Sequence, residues 1–258
     1  MARRILITSG KGGVGKTSVA AHLGYALSKT GQSVVVIDMD AGLNNLDVVM
    51  GVENKSAYGL VDALDGKCRV KQTLIEKTSN LYAIPSGGRI SNSLTGKRVK
   101  DLTDGLIDRF DYLLIDSPAG VDFGFRRAAS AAEEAILVVT PTITSLRDAD
   151  KVLAALNDYD IKKTGIIVNK MRGDLLTRGA VIGVDEIQSV LKVPVIGCVP
   201  EDDSVLLSTD LNLYSSRAEK AFKMIAKTLK TGKIKVFDAA AYYRGIGGRI
   251  RGLLRQSV

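Results

Sequence analysis

Short apolar runs recur along the chain, and segments with helical periodicity separate most of them. The runs that predict strands are residues 5–8, 34–38, 81–84, 112–116, 136–140, 165–169 and 195–199. The helical patterns cover residues 17–29, 59–65, 97–109, 124–133, 147–157, 184–191 and 216–230, and residues 85–98 predict a loop. Because unbroken Val, Ile and Leu runs are typical of strands covered on both faces, the pattern predicts an α/β fold. Its single doubly wound, mostly parallel sheet should carry helices on both faces.

The composition agrees with one compact domain. A chain of 258 residues with 45% apolar side chains is long enough to bury a large core. No apolar run approaches the length that crosses a bilayer, and too few apolar residues follow the basic start for a signal peptide, so we expect a cytoplasmic protein. Cys68 and Cys198 are far apart, which argues against a metal or iron–sulfur site. The one histidine, His22, has no acidic or cysteine neighbour, and we expect it to be a structural or surface residue.

The net charge of +8 is concentrated at the C-terminal end of the chain. Eight of the 36 Lys and Arg residues follow residue 225, whereas only one of the 28 acidic residues, Asp238, does so. The preceding 225 residues are therefore nearly neutral. A strongly basic tail on a neutral body predicts a polyanionic partner, either a membrane surface or a nucleic acid.

The tail also has an amphipathic pattern. At about 100° per residue, the following apolar side chains fall within an arc of about 120°: Tyr242, Tyr243, Ile246, Ile250, Leu253 and Leu254. Arg244, Arg251 and Arg255 lie opposite this arc, and Arg249 flanks it. This pattern is typical of a helix in a membrane interface. Because four glycines weaken the helix, we expect it to bind membranes weakly as a single copy and better as a pair. A tail helix docked on its own body stays open as an alternative.

A phosphate-binding loop follows the first predicted strand and opens the first predicted helix. Residues 10–17 fit the pattern of Gly, four residues, then Gly-Lys-Thr. Its glycines let backbone N–H groups surround an anion, Lys16 reaches the β- and γ-phosphates, and the Thr17 hydroxyl binds Mg²⁺. The residues predicted to contact the nucleotide here are Gly10, Lys11, Gly12, Gly13, Val14, Gly15, Lys16, Thr17 and Ser18.

Carboxylates follow two other strands of the predicted sheet. Asp38 and Asp40 end the second strand candidate, and Asp116 ends the fourth. Open α/β sheets bind ligands at the carboxyl ends of their strands, and Mg²⁺ keeps part of its water shell when a protein binds it. The sequence therefore predicts a Mg²⁺ site at Thr17, Asp38 and Asp116, with the aspartates acting through water.

The run Lys-Gly-Gly-Val-Gly-Lys-Thr at residues 11–17 resembles the deviant Walker A motif of the ParA/MinD family of ATPases. The resemblance implies a P-loop NTPase fold and an ATP-dependent dimer in which Lys11 reaches the nucleotide of the other subunit. Lys11, Lys16 and Asp40 are then the catalytic residues, with Asp40 orienting the attacking water. Asn45 falls in the first switch segment, and residues 116–120 match the switch that senses the γ-phosphate.

The same resemblance places the base at the far end of the sheet. Asn169 matches the adenine-contacting asparagine, and the segment that lines the base corresponds to Pro200, Glu201 and Asp202. The guanine motif Asn-Lys-x-Asp is not present, since the run reads Asn169-Lys-Met-Arg172. ATP with Mg²⁺ is therefore the expected cofactor, in preference to GTP.

The tail and the runs at 37–47, 116–120 and 146–150 resemble the MinD branch of the family. The resemblance implies an ATPase domain over residues 1–230, a hinge over 231–241 and a membrane-targeting helix over 242–258. The residues expected to bind the membrane are Ile246, Arg249, Ile250, Arg251, Leu253, Leu254 and Arg255. Two features depart from the pattern, namely Asn44 in place of a basic residue and the glycine-rich tail.

A membrane-switching ATPase is the function implied by this branch. ATP binding would drive dimerisation and attachment to anionic lipid at the inner face of the cell membrane, and hydrolysis, slow until stimulated, would release the protein. Expected partners are a MinC-like division inhibitor and a MinE-like or other topological activator, with contacts at Arg147, Asp148 and Asp150. The alternatives are an FlhG-type flagellar-number ATPase, which usually has an N-terminal extension, and a ParA-type DNA partition ATPase. The near-neutral body argues against the second.

Overall fold

The computed structural model describes residues 2–40, 45–88, 95–207, 211–213, 215–245 and 247–248. Within these ranges the strands form one sheet in the order β3-β4-β2-β5-β1-β6-β7-β8. All neighbouring pairs are parallel except β3 and β4, which are antiparallel. The strand bounds are β1 Arg3–Thr8, β2 Val34–Asp38, β3 Ile75–Thr78, β4 Leu81–Ile84, β5 Tyr112–Asp116, β6 Glu134–Val139, β7 Lys163–Met171 and β8 Val195–Pro200. The predicted fold class is confirmed.

The helices lie on both faces of the sheet. Their bounds are α1 Lys16–Ser28, α2 Asn45–Met50, α3 Leu60–Leu64, α4 Gly96–Asp104, α5 Phe123–Ala129, α6 Ile143–Leu156, α7 Gly173–Leu176, α8 Val184–Leu191, α9 Asp203–Leu207 and α10 Arg217–Thr231, with 3₁₀ turns at Val70–Gln72 and Ala241–Tyr243. One apolar cluster joins the sheet to α1 and α10, and a second joins the other face to α4, α5, α6 and α8. No described helix has the length and hydropathy needed to cross a bilayer.

Each strand and helix predicted within residues 1–230 is present, with several boundaries shifted. The helix predicted at 97–109 ends at Asp104 because Gly105 follows it, and the predicted loop at 85–98 already includes the start of α4. The side chain of Thr95 accepts a hydrogen bond from the backbone N–H of Arg98, which fixes that start. Similarly, α6 begins four residues before the predicted 147, since Thr142 accepts a hydrogen bond from the backbone N–H of Ser145.

The pattern missed four short elements, namely β3, α2, α7 and α9. Strand β3 has the sequence Ile-Glu-Lys-Thr, in which only the first residue is buried. An edge strand of four residues with charged side chains offers no apolar run or alternation long enough to detect. The three helices have six residues or fewer and follow strand ends, where tertiary contacts define them.

The chain after α10 returns to the body of the fold. Ala239, Ala240 and Tyr243 are at most 5% exposed. The Tyr243 hydroxyl accepts a hydrogen bond from Arg217 at 3.0 Å, and the Arg217 guanidinium lies 5.0 Å from the centre of the Tyr242 ring. Part of the predicted hinge and the first turn of the predicted tail are therefore packed. The predicted membrane residues, Ile246, Arg249, Ile250, Arg251, Leu253, Leu254 and Arg255, lie outside the described residues.

Candidate functional site

The candidate site lies at the carboxyl ends of β1, β2 and β5. In the sheet order β5 lies between β2 and β1, and Asp116 is paired with Ile7 on one side and with Asp38 on the other. Two of the predicted carboxylates are therefore neighbours across adjacent strands. The chain leaves β1 next to them and turns through the phosphate loop into α1, which begins at Lys16.

Glycine is required at specific points of the loop. Gly13 and Gly15 have φ angles of 79° and 86°, a left-handed conformation that other residues adopt at a cost. At Gly10 a Cβ atom would lie 2.4 Å from the backbone of Asp148 in α6. The backbone of the first glycine is therefore packed directly on the helix that the sequence assigned to partner contacts.

Lys16 and Asp116 form a buried ion pair beneath this loop. The Lys16 Nζ donates to Asp116 Oδ1 at 2.9 Å, and the side chains are 8% and 0% exposed. Burial raises the pKa of the Asp116 carboxyl, while Lys16 and the nearby Thr17 hydroxyl oppose that rise. The structure thus brings the loop lysine, the threonine and the strand-end carboxylate together.

Asp38 lies beside this pair in a buried position. Burial, together with the charge of Asp116, raises the pKa of Asp38 to about 7. Its Oδ1 accepts a hydrogen bond from the Asp40 backbone N–H at 2.8 Å, and its Oδ2 accepts one from the Ser86 hydroxyl at 3.4 Å. Such a concentration of negative charge at a phosphate site favours a cation.

The predicted Mg²⁺ residues fit that ion. Among the described residues, Asp116 Oδ2 is buried without a hydrogen-bond partner, so it has an acceptor to offer to a metal-bound water. The described residues contain no group of three or more His, Cys, Asp or Glu side chains able to hold a metal ion. An ion held by Thr17, Asp38 and Asp116 would therefore complete its shell with water and phosphate oxygens, as Mg²⁺ commonly does.

The second of the two predicted switch segments lies next to the phosphate loop. The backbone N–H of Gly120 donates to the Ser9 carbonyl at 2.8 Å, which ties the second segment to the start of the loop. Asp40 is half-buried, and its charge acts on both Asp38 and Asp116. Asn45 is the exposed first residue of α2, and residues 41–44 between them lie outside the described residues.

Lys11 contacts its own chain. Its Nζ donates to the Thr144 hydroxyl in the first turn of α6 at 3.1 Å. On the same helix, Arg147 and Asp150 are exposed, and Asp148 pairs with Lys151 at 3.3 Å. The predicted partner residues and the predicted dimer lysine therefore share one surface.

The end of β7 crosses the outer side of the phosphate loop. Asn169, predicted to contact adenine, is 8% exposed and donates through Nδ2 to the Val14 carbonyl at 2.8 Å. The next residue, Lys170, donates through Nζ to the Gly13 carbonyl at 2.8 Å. The sequence patterns did not single out Lys170. The signal that pointed to it was the Asn-Lys pair, which the sequence analysis used only to exclude a guanine motif.

The segment predicted to line the base connects to other elements through its side chains. Pro200 is buried, and Glu201 forms an ion pair with Arg172 at 3.6 Å. Asp202 accepts hydrogen bonds from Ser204 and from the backbone N–H of Ala218, the second residue of α10. This segment therefore links the carboxyl end of β8 to α10.

Comparisons with protein families agree with this geometry. Residues 5–236 match the model described as the CobQ/CobB/MinD/ParA nucleotide binding domain. The chain is 40% identical over 260 residues to a putative septum site-determining protein MinD of Guillardia theta, covering 97% of each chain. It is 38% identical over 260 residues to septum site-determining protein MinD of Synechocystis sp., covering 97% of this chain and 98% of the relative.

Solved structures give the same result. The MinD cell division protein of Aquifex aeolicus superposes with a TM-score of 0.82 at 33% identity, covering 91% of this chain and 99% of that one. The MinC:MinD complex of the same organism gives 0.82 at 35% identity, with 91% and 98% covered. MinD complexed with Mg-ADP from Pyrococcus horikoshii gives 0.77 at 30% identity, with 90% and 97% covered.

Proposed function

The chain belongs to the MinD/ParA family of nucleotide-binding ATPases, and on that premise we propose that it is a MinD-type, Mg²⁺-dependent ATPase that switches between cytoplasm and membrane in division-site placement. The observation that carries the proposal is the buried ion pair of Lys16 and Asp116 beneath the phosphate loop, with Thr17 beside it. Family members solved with Mg-ADP and with MinC support the cofactor and the cell-division role.

Nucleotide binding rearranges the buried ion pair in this proposal. The β- and γ-phosphates compete with Asp116 for Lys16, whose Nζ lies 2.9 Å from that carboxylate. The Thr17 hydroxyl would hold a Mg²⁺ ion directly and Asp116 would hold it through water, and the ion would supply the positive charge that Asp116 loses. Asp38, the cross-strand neighbour of Asp116, accepts hydrogen bonds from the Asp40 backbone and the Ser86 hydroxyl.

Hydrolysis needs a water placed in line with the γ-phosphate and cations that balance the developing charge. Asp40 supports the first requirement, since it is half-buried and close enough to influence both Asp38 and Asp116. Lys11 supports the second when a partner subunit receives it. In one chain Lys11 rests on Thr144, so the set of cations is incomplete and turnover is slow until dimerisation and an activator complete it.

The exposed residues near Lys11 support a homodimer across this edge of the sheet. Phe123 begins α5 and Ile143 begins α6, and their side chains are 76% and 77% exposed. Both helices follow strands that flank β1, so the two apolar side chains lie on the same side of the molecule as the phosphate loop. Exposed large apolar side chains beside a ligand site are typical of a surface that a partner covers.

Membrane attachment is assigned to the basic tail. We expect residues 242–258 to bind anionic lipid when two tails are presented by one ATP-bound dimer. The packed root of the tail, Ala239 to Tyr243, would hold both copies at fixed places on the body. A MinC-like inhibitor would bind near Arg147, Asp148 and Asp150 on α6, and a MinE-like or other activator would trigger release.

Co-sedimentation with vesicles tests the proposal. The full chain and a truncation after Gly245 are incubated with phosphatidylglycerol vesicles in the presence of ATP or ADP. This truncation retains the contact between Arg217 and Tyr243, so the folded body stays intact. We expect pelleting with ATP only, and none for the truncation.

Other results identify other functions. Pelleting that does not depend on nucleotide would contradict the switch while leaving a membrane anchor. Retention on random duplex DNA with ATP, without pelleting on vesicles, would replace the proposal by a partition ATPase. A wild-type chain that binds no ATP would overturn the assignment of the site itself.

A further inference from the structure

Two neighbouring carbonyls of the phosphate loop are held from outside by one strand end. Asn169 Nδ2 donates to the Val14 carbonyl and Lys170 Nζ donates to the Gly13 carbonyl, both at 2.8 Å. The donors are adjacent in the chain, and so are the acceptors. Strand β7 and the loop therefore meet as two short segments in register, although they are more than 150 residues apart in sequence.

Lys170 has an unusual backbone conformation at this point. Its φ angle is 56°, in the left-handed region that favours glycine and asparagine. Lysine therefore occupies the position against its backbone preference. Residues held in such a conformation require support from the surrounding structure, and they are enriched at sites where geometry serves a function. Lys170 lies where the pairing of β7 with β8 shifts register between Val168 and Met171, and from there its Nζ reaches the loop.

The two hydrogen bonds set the direction in which the loop presents its N–H groups. Within a planar trans peptide, the carbonyl of one residue and the N–H of the next point in opposite directions. Holding the Gly13 and Val14 carbonyls toward β7 turns the N–H groups of Val14 and Gly15 away from it. A phosphate loop binds polyphosphate through inward N–H groups, and an inward carbonyl would repel the same anion.

Steric contact adds to this effect at Gly15. A Cβ atom on Gly15 would lie 2.5 Å from Asn169 Nδ2, so the side chain of Asn169 is packed directly on the loop backbone. Gly13, in contrast, has open space around it. The peptide between Gly13 and Val14 is thus held by the lysine contact, whereas the next one is also held by packing.

We propose that Lys170 is a positioning residue for the phosphate loop. By holding the Gly13 carbonyl outward, it keeps the N–H groups of the loop directed toward the bound anion. It therefore affects the binding of the polyphosphate and not of the base. The inference rests on the proposed nucleotide site and deepens it. The loop binds any chain of two or more phosphoryl groups, so loss of the Lys170 contact should weaken the binding of ATP, ADP and inorganic triphosphate alike.

The experiment compares K170M, which removes the donor but keeps most of the side-chain stem, with K170R, which restores a donor. K192M is the matched control, since Lys192 is also an exposed lysine with a left-handed φ of 55°, at the end of α8. Competition against a fluorescent ATP analogue gives affinities for ATP, ADP and inorganic triphosphate. We expect K170M to lose about tenfold in affinity for all three ligands, because one charge-assisted hydrogen bond is removed.

The remaining outcomes are equally specific. K170R should recover most of the affinity, K192M should match wild type, and K170M should raise KM for ATP more than it lowers kcat. Weaker binding of ATP and ADP with unchanged triphosphate binding would overturn the proposal in favour of a contact to ribose or base. Failure of K170R to rescue, or equal effects of K170M and K192M, would reduce Lys170 to a structural role.

A second measurement separates this inference from the proposed function. Amide hydrogen exchange of the peptide covering residues 10–18 is followed without nucleotide in wild type, K170M and K192M. Faster exchange in K170M alone supports the positioning role of Lys170 even if the chain proves to bind no ATP. If the wild-type chain binds ATP and K170M shows unchanged exchange, the positioning role of Lys170 is contradicted and the ATPase assignment stays intact.

Discussion

Lys16 Nζ lies 2.9 Å from Asp116 Oδ1, and both side chains are nearly inaccessible to solvent. The cation of the phosphate loop and the carboxylate at the end of β5 therefore neutralise each other. Buried ion pairs of this kind are costly to break on one side, because the remaining charge is left in an apolar environment. The pair links the stability of the fold to the chemistry of the site.

Breaking this pair on one side should cost more than removing both charges. We expect Lys16→Met to lower the free energy of unfolding by about 3 kcal/mol, and Lys16→Met with Asp116→Asn to recover part of that loss. Urea denaturation of the wild type, both single variants and the double variant forms a double-mutant cycle. Additive effects in the cycle would show that the two side chains do not interact.

Replacement of Gly10 by alanine should push α6 away from the loop. The added Cβ would meet the backbone of Asp148 at 2.4 Å, whereas a Cβ on Gly12 has open space. We expect Gly10→Ala to cost about 1–3 kcal/mol of stability and Gly12→Ala to change it by less than about 0.5 kcal/mol. Thermal unfolding of the two variants measures this difference, and equal shifts would contradict the tight contact.

Lys11 should contribute to turnover more than to binding. In the single chain it contacts Thr144 and not the buried group of Lys16 and Asp116. We expect Lys11→Ala to abolish stimulated ATP hydrolysis and to leave ATP affinity within about threefold, a change of less than 1 kcal/mol. Thr144→Val, which removes only the resting contact, should keep stimulated turnover. Equal loss of affinity and turnover in Lys11→Ala would mean that the lysine holds nucleotide within its own subunit.

His22 should make the chain sensitive to mild acid. It is 3% exposed and stacks on Phe222 of α10 at 5.3 Å between ring centres, and burial lowers the pKa of its imidazole below the ordinary 6.5. The unfolded chain therefore binds this proton more readily than the folded one. Its contribution to stability is complete above pH 6.5 and is lost as pH falls through the folded-state pKa.

A variant without the imidazole should lack this loss. Between pH 8 and pH 5 the melting temperature of wild type should fall more than that of His22→Leu, which keeps an apolar contact with Phe222. Thermal melts at matched ionic strength give the two slopes. Parallel slopes would show that other groups cause the acid sensitivity.

The root of the tail should behave as part of the folded body. Truncation after Lys235 removes the buried residues Ala239, Ala240 and Tyr243, while truncation after Gly245 retains them. We expect the first to lower stability by about 2–3 kcal/mol, the effect of losing a buried aromatic and its neighbours, and the second to leave it unchanged. Melting temperatures of the two truncations decide the matter, and equal values would place the fold boundary before residue 236.

Local sequence patterns predicted most of the fold and the composition of the candidate site. The phosphate loop, the helix that follows it and the strands ending in Asp38 and Asp116 depend on residues that are adjacent in the chain. Turn glycines and apolar runs act over a few residues, so their effect is visible without the fold. The dimer role of Lys11 and the adenine role of Asn169 stay predictions, since they involve a second subunit and a bound base.

The tertiary structure decided the relationships between distant residues. The ion pair of Lys16 with Asp116 and the contact of Lys170 with Gly13 join positions 100 and 157 residues apart. The burial of Tyr243 was likewise decided by the tertiary structure, whereas the amphipathic pattern assigned this side chain to a lipid-facing stripe. An apolar stripe states only that a surface will be covered, and packing determines what covers it. The sequence therefore determined the fold class and the nucleotide chemistry, whereas the three-dimensional packing decided which groups hold the loop and where the body ends.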